Sequence, residues 1–406
     1  MTFRPLRNLV SFFCAALAFA GLLSGQDAVS DSLPSYHSGH GQTFVGMNFE
    51  DPAECVPCTQ INRGDYQYVF SGLARAFYFN DQRLQWSGQE TSFGAEGAFQ
   101  GAVLRNINGW DVGLETELFI NQPYDRNILV DTPERVSFRG NFEIETLEIS
   151  QLFIAANRGD WTFSAGKRYT PFGRTYFPLN TNALSDAPFI RTEVVDYRET
   201  GLQVDYNPGI WEFTASISNG SENLDTNSTK AGLARIGING GSYAFGGSVK
   251  WHDGTGSESQ KQRNNQVGVD GMIRRGRWTL SGEVVYDQYG FRRFFNPLDI
   301  TWGRSIYNRD QFFPGLLSGV GYYVNLGYEG DRWTALVNYG NYSPNQFTGD
   351  AIHDRDTYRL YGKFIRHFGQ GLDGITTVTF ENSVPIAQAG RERQGFAFYT
   401  GLEYRF

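Results

Sequence analysis

Five tryptophans occupy the same place in a repeating pattern. Trp110, Trp161, Trp211, Trp278 and Trp333 each follow a short glycine-containing turn and open a stretch of alternating apolar and polar residues. The turns are 106–109, 157–160, 207–210, 274–277 and 329–332, and a sixth, 239–242, carries Tyr243 in the tryptophan's place. A soluble sandwich gives no reason to repeat an aromatic at one position of every second strand. A barrel in a bilayer does, because amphipathic rings settle at the headgroup level and form a girdle at each rim.

The alternation itself has period two. Trp110, Val112, Leu114, Thr116, Leu118 and Ile120 share one face against Asp111, Glu115 and Glu117. Trp211, Phe213, Ala215 and Ile217 oppose Glu212, Thr214, Ser216 and Ser218, and Trp278, Leu280, Gly282, Val284 and Tyr286 oppose Thr279, Ser281, Glu283 and Asp287. Apolar outside and polar inside is the strand pattern of a transmembrane barrel. After residue 25 no apolar run of the roughly 18 residues needed for a helical span occurs. The low hydropathy is compatible with a barrel, since lumen-facing residues dilute the signal.

Sixteen strands are predicted: 66–78, 91–101, 109–120, 141–156, 160–168, 199–206, 210–219, 229–238, 242–252, 264–274, 277–289, 315–328, 332–341, 356–366, 371–381 and 394–406. Connections alternate between short ones, which carry the tryptophans, and long ones at 79–90, 121–140, 169–198, 220–228, 253–263, 290–314, 342–355 and 382–393. Bacterial barrels have short periplasmic turns and long external loops, so the tryptophan rim is expected on the periplasmic side. Sixteen strands leave an aqueous channel where eight would be filled by side chains. The fold class is therefore all-β, a transmembrane antiparallel barrel. In the last strand Phe396, Phe398, Thr400, Leu402, Tyr404 and Phe406 share a face. An all-apolar edge would aggregate in water. Tyr404 and the terminal Phe406 resemble the assembly signal of outer-membrane proteins, which makes the barrel assembly machinery an expected partner beside outer-membrane lipid.

Residues 1–25, with Arg4, Arg7 and an apolar run from Leu9 to Leu23, read as a secretory signal peptide. Residues 26–62 read as a periplasmic extension rich in Ser, Gly, Asp and Pro, and 63–406 as the barrel domain. The net charge is −8, near −10 without the leader's arginines, and offers no basic face for nucleic acid. Cys55 and Cys58 lie in the extension with His37 and His40 upstream. An oxidising compartment favours a Cys55–Cys58 disulfide; a zinc site and free thiols are the other readings.

The connection from Tyr169 to Arg198 is the longest, stiffened by Pro171, Pro178 and Pro188 and rich in apolar residues that need something to pack on. Gly166-Lys167, Pro171-Phe172-Gly173, Arg191, Asp196, Arg198-Glu199 and Gly201 resemble the stretch around the third loop of the phosphate-selective porin O and P family. Sixteen strands with the long loop after the fifth are similar to general trimeric porins. The resemblance implies a loop folded into the lumen, a homotrimer, and a channel in the outer membrane of a Gram-negative-type bacterium for small hydrophilic solutes or ions, with anions such as phosphate as candidates. On that basis Lys167, Arg168, Arg174, Asp186, Arg191, Glu193, Asp196 and Arg198 are candidate constriction residues. Each could instead serve a salt bridge inside the loop. From 169 to 198 three basic residues face three acidic ones, without the cationic excess that bidentate phosphate capture requires.

Arg75, Arg359 and Lys363 fall on the polar face of their strands and are expected to face the lumen, because the same charges against lipid at mid-depth would cost roughly 2–4 kcal/mol. In the 290–314 connection Arg292, Arg293, Arg304 and Arg309 could funnel anions, bind glycolipid phosphates or simply be solvated. No metal or cofactor is expected. The competing classes are a plugged structural barrel and an outer-membrane lipase- or protease-like enzyme. The five histidines, His37, His40, His252, His353 and His367, sit in no recognisable catalytic motif.

Overall fold

The computed structural model describes residues 59–81, 90–121, 147–173, 198–219, 230–252, 262–291, 316–344, 355–385 and 393–406. They form seventeen strands and no helix. A short β1 (Thr59–Arg63) precedes sixteen wall strands: β2 (Tyr66–Asp81), β3 (Glu90–Ile107), β4 (Trp110–Asn121), β5 (Leu147–Arg158), β6 (Trp161–Tyr169), β7 (Arg198–Tyr206), β8 (Trp211–Ser218) and β9 (Ala231–Asn239). The wall continues with β10 (Tyr243–Trp251), β11 (Gln262–Arg275), β12 (Trp278–Phe291), β13 (Leu316–Glu329), β14 (Trp333–Pro344), β15 (Arg355–Gly369), β16 (Leu372–Pro385) and β17 (Arg393–Arg405). Each strand pairs antiparallel with the next, and β17 pairs with β2 from Ala397↔Asp81 to Arg405↔Leu73, which closes a sixteen-stranded barrel without an edge.

Closure involves both ends of the wall. Gly72 and Phe406 exchange two backbone hydrogen bonds of 2.8 and 3.0 Å. Immediately beyond, β1 takes over the edge of β2 from Thr59↔Phe70 to Arg63↔Tyr66. The C-terminal strand and β1 thus stand end to end along β2. Residues 59–62, assigned from sequence to the extension, belong instead to the wall: β2 runs longer than β17 can cover, and its spare N–H and C=O groups need a partner.

The outer face is an apolar band. Leu114, Ile154, Leu202, Ile217, Ile236, Val267, Leu326, Val337, Leu360 and Leu402 all project outward and exposed. Strand β5, whose alternation is irregular in sequence, carries a bulge. Glu117 pairs with Gln151 and Leu118 with Ile149, so Ser150 is the extra residue. The bulge shifts the phase by one and lets Ile149, Leu152 and Ile154 all face outward.

The candidate girdle residues open their strands directly after the short turns, on the outer face. Trp161, Trp211, Tyr243, Trp278 and Trp333 are exposed and Trp110 is half-buried. Their rings meet other aromatics of the same rim: Trp161 stacks on Tyr206 at 4.2 Å, and Tyr328 stacks on Trp333 at 4.6 Å and meets Trp278 edge-on at 4.9 Å. Tyr404 and Phe406 form a similar stacked pair at 6.0 Å where the barrel closes.

Candidate functional site: barrel lumen and constriction segment

The inner face is polar along its height. Asp111 is exposed, and Asp205, Glu212, Thr214, Ser216, Lys363 and His367 are half-buried. Other inner-face polar side chains are buried, both close to the short turns, as Ser164, Thr279, Ser281, Asp373 and Glu403 are, and further from them, as Glu117, Asp287, Arg359 and Thr379 are.

The buried inner cations are matched with acids. Arg75 donates from Nε to Glu403 at 2.9 Å, and Arg405 donates to the other Glu403 oxygen at 2.6 Å. Arg359 donates to Glu381 from Nε at 2.9 Å and from Nη2 at 2.6 Å. Both Arg75–Glu403 and Arg359–Glu381 are direct cross-strand partners, so the antiparallel register brings each pair together. Lys250 of β10 reaches Glu199 of β7, whose second oxygen accepts from Ser218 at 2.5 Å. Glu117 accepts from Gln100 at 2.7 Å and Gln151 at 3.2 Å. Lys363 projects from the inner face two residues from Tyr361, half-buried.

Strand β6 leads to the candidate constriction segment. Trp161, Phe163 and Ala165 face outward, and the alternation carries Lys167 outward as well. Lys167 pairs in register with Leu152 and Thr200 of the outer face and donates from Nζ to the Ile149 carbonyl at 3.0 Å. Its sequence assignment to the constriction is thus corrected: neighbours in a strand face opposite ways, and only one of Lys167 and Arg168 can enter the lumen. Arg168 does. It donates to Ser164 Oγ at 2.5 Å, with its guanidinium 5.0 Å from the Phe153 ring and the Asp205 and Glu115 carboxylates within electrostatic reach. Arg198 opens β7 in register with Tyr169. Arg174, Asp186, Arg191, Glu193 and Asp196 lie outside the described residues, as do Cys55, Cys58, His37, His40, Arg292, Arg293, Arg304 and Arg309.

Past Tyr169 the chain turns into the barrel. Phe172 is buried with its ring against Gly268 of β11, and Gly173 N–H donates to Ser248 Oγ of β10 at 2.9 Å. Gly268 and Ser248 lie on inner-face positions in direct register. The segment therefore spans the inside of the barrel from β6 to β10 and β11, past the inner face of β7–β9. Sequence reading placed the long connection in the lumen but not this contact, since nothing near Phe172 in sequence identifies glycines some hundred residues later as its seat.

One inner-face chain of contacts escaped sequence reading altogether. His367 Nδ1 lies 2.8 Å from Asp373 Oδ1, and its Nε2 lies 3.0 Å from Thr334 Oγ1. It ties β14, β15 and β16 together at the turn-end mouth. The only available signal was that His367 and Asp373 are cross-strand partners of one hairpin.

No protein-family model matches the chain, so the likeness to the phosphate-selective porin O and P family rests on the quoted residues alone. No curated protein matches it either. Solved structures do. The outer-membrane-expressed OmpT of Vibrio cholerae is 10% identical with a TM-score of 0.57, over 86% of this chain and all of that one. The anion-selective porin from Comamonas acidovorans is 9% identical with a TM-score of 0.57, over 84% of this chain and all of that one. OmpF of Salmonella typhi in complex with daunomycin is 9% identical with a TM-score of 0.58, over 86% of this chain and all of that one. The likeness is one of fold: this chain has the closed sixteen-stranded antiparallel barrel of the outer-membrane porins.

Proposed function

We propose that this chain is an outer-membrane porin, a channel through which small hydrophilic solutes or ions diffuse passively. The observation that carries the reading is the segment after β6, which enters the barrel and seats Phe172 on the inner wall at β10 and β11. A barrel narrowed from within is built to sieve. The apolar outer band fits a bilayer, and the leader, residues 1–25, fits export to it. On this reading residues 26–58 precede the barrel in the periplasm, with Cys55 and Cys58 joined there, and the barrels assemble as homotrimers.

Near the constriction, Arg174, Arg191 and Arg198 would oppose Asp186, Glu193 and Asp196, with Arg168 adding a cation from the wall. The charges balance too closely for a phosphate-specific site, and the channel is broad and weakly selective. Single-channel recording in planar bilayers tests the reading: the purified barrel gives discrete conductance steps. A plugged structural barrel is the second reading, favoured by the deep burial of the inner charges, and it gives none.

A further inference from the structure

We propose that the inner wall at β9–β11 is a built seat for the start of the constriction segment, and that Phe172, Gly268, Ser248, Arg235 and Asp270 are positioning residues that set the channel's cross-section. The proposal rests on the porin reading for its consequence, but its geometry stands apart from it. Glycine inside a strand weakens the strand, and it commonly marks a place where another group must approach closely. Two inner-face glycines lie diagonally across β10 and β11, Gly246 opposite Asp270 and Gly268 opposite Ser248. A Cβ on Gly268 would stand 2.9 Å from the Phe172 ring. A Cβ on Gly246 of β10 would stand 2.3 Å from Nη2 of Arg235.

Each glycine clears space for one contact. Over Gly246 the Arg235 guanidinium crosses a whole strand, from β9 to β11, and forms a two-pronged ion pair with Asp270, one arm of it 3.0 Å long. The same guanidinium donates to Ser248 Oγ at 3.1 Å. That hydroxyl oxygen also accepts from Gly173 N–H. The ion pair thus fixes the hydroxyl that holds the segment's backbone, while Gly268 leaves the hollow that its ring fills. Arg235, Ser248 and Gly268 lie at one level, since Ser248 is the direct register partner of both. All five groups are buried, and they lie within the wall's middle rather than at a rim. Pro171 fixes one backbone dihedral between β6 and the pinned pair Phe172 and Gly173, which narrows the ways the chain can leave the strand.

Two measurements test this. In the first, Ser248→Cys is introduced into a chain carrying Cys55→Ser and Cys58→Ser, and reaction with a membrane-impermeant maleimide is timed on whole cells. The seat makes labelling slow, and adding Phe172→Gly speeds it by about tenfold, which corresponds to a seat worth about 1.4 kcal/mol. Equal rates with and without Phe172→Gly overturn the seat, whatever the barrel conducts. In the second, single-channel conductance is compared for the native chain, Gly268→Phe, and the exchange of Phe172→Gly with Gly268→Phe. Gly268→Phe alone evicts the ring and gives a higher, noisier conductance. The exchange puts one ring back in the same hollow and returns the native level. Native-like conductance in Gly268→Phe overturns the positioning role, whereas absence of steps in the native chain overturns the porin reading instead.

Discussion

Glu403 accepts from Arg75 on one side and Arg405 on the other, fully buried at the seam where the barrel closes. Removing one member of such a group leaves its partners charged and uncompensated, which costs about 3–5 kcal/mol. Glu403→Gln is expected to lower the temperature at which the folded barrel loses its compact mobility on a denaturing gel. Replacing Arg75 and Glu403 together with methionine should cost less than Glu403→Gln alone. Lys167 and Arg168 supply a second residue-scale test. Lys167 bonds a carbonyl on the outer face, so Lys167→Met should leave the reversal potential in a salt gradient unmoved, whereas Arg168→Met should shift it toward cations. This division was available from alternation alone once Phe163 and Ala165 had been placed outside. What masks it in the sequence is that both residues are cationic and adjoin the long 169–198 connection.

The strands themselves were legible wherever both faces followed period two, as in β4, β8 and β12. They were less so where the wall breaks its own rule. The irregular pattern before Leu152 is a bulge at Ser150; its local mark is only the broken alternation, and the pairing with β4 is what makes it a bulge. Strand β1 is too short to announce itself, and it exists because β2 outruns β17. The constriction segment shows the same limit. Its prolines and apolar residues say that it must pack, and only the assembled wall says on what. Deleting roughly residues 175–192 is expected to raise single-channel conductance while Phe172 stays seated. Unchanged conductance in a folded barrel would remove that stretch from the permeation path. Neutralising Arg174, Arg191 and Arg198 together should shift the reversal potential toward cations, as charges beside a slit act through a field focused by low-dielectric walls.

At the scale of the whole molecule, the tryptophans define how the barrel sits in its membrane. All six girdle residues open a strand after a short turn, and a closed sheet of regular register brings such positions to one rim. Their rings are amphipathic, and cross-strand contacts through Phe163, Tyr206 and Tyr328 join neighbouring side chains of the belt. A belt of this kind resists vertical displacement, because moving it either way takes indole N–H groups into hydrocarbon or apolar ring edges into water. Fluorescence in brominated phospholipids reads the depth directly. In a chain with Trp86→Phe, Trp251→Phe and Trp302→Phe, the remaining tryptophans are the five of the belt. Their emission should be quenched most by bromines close to the acyl carbonyls and progressively less by bromines nearer the methyl ends. Strongest quenching at the chain ends would put the rim at the bilayer centre and overturn the assignment of the short turns to a membrane surface.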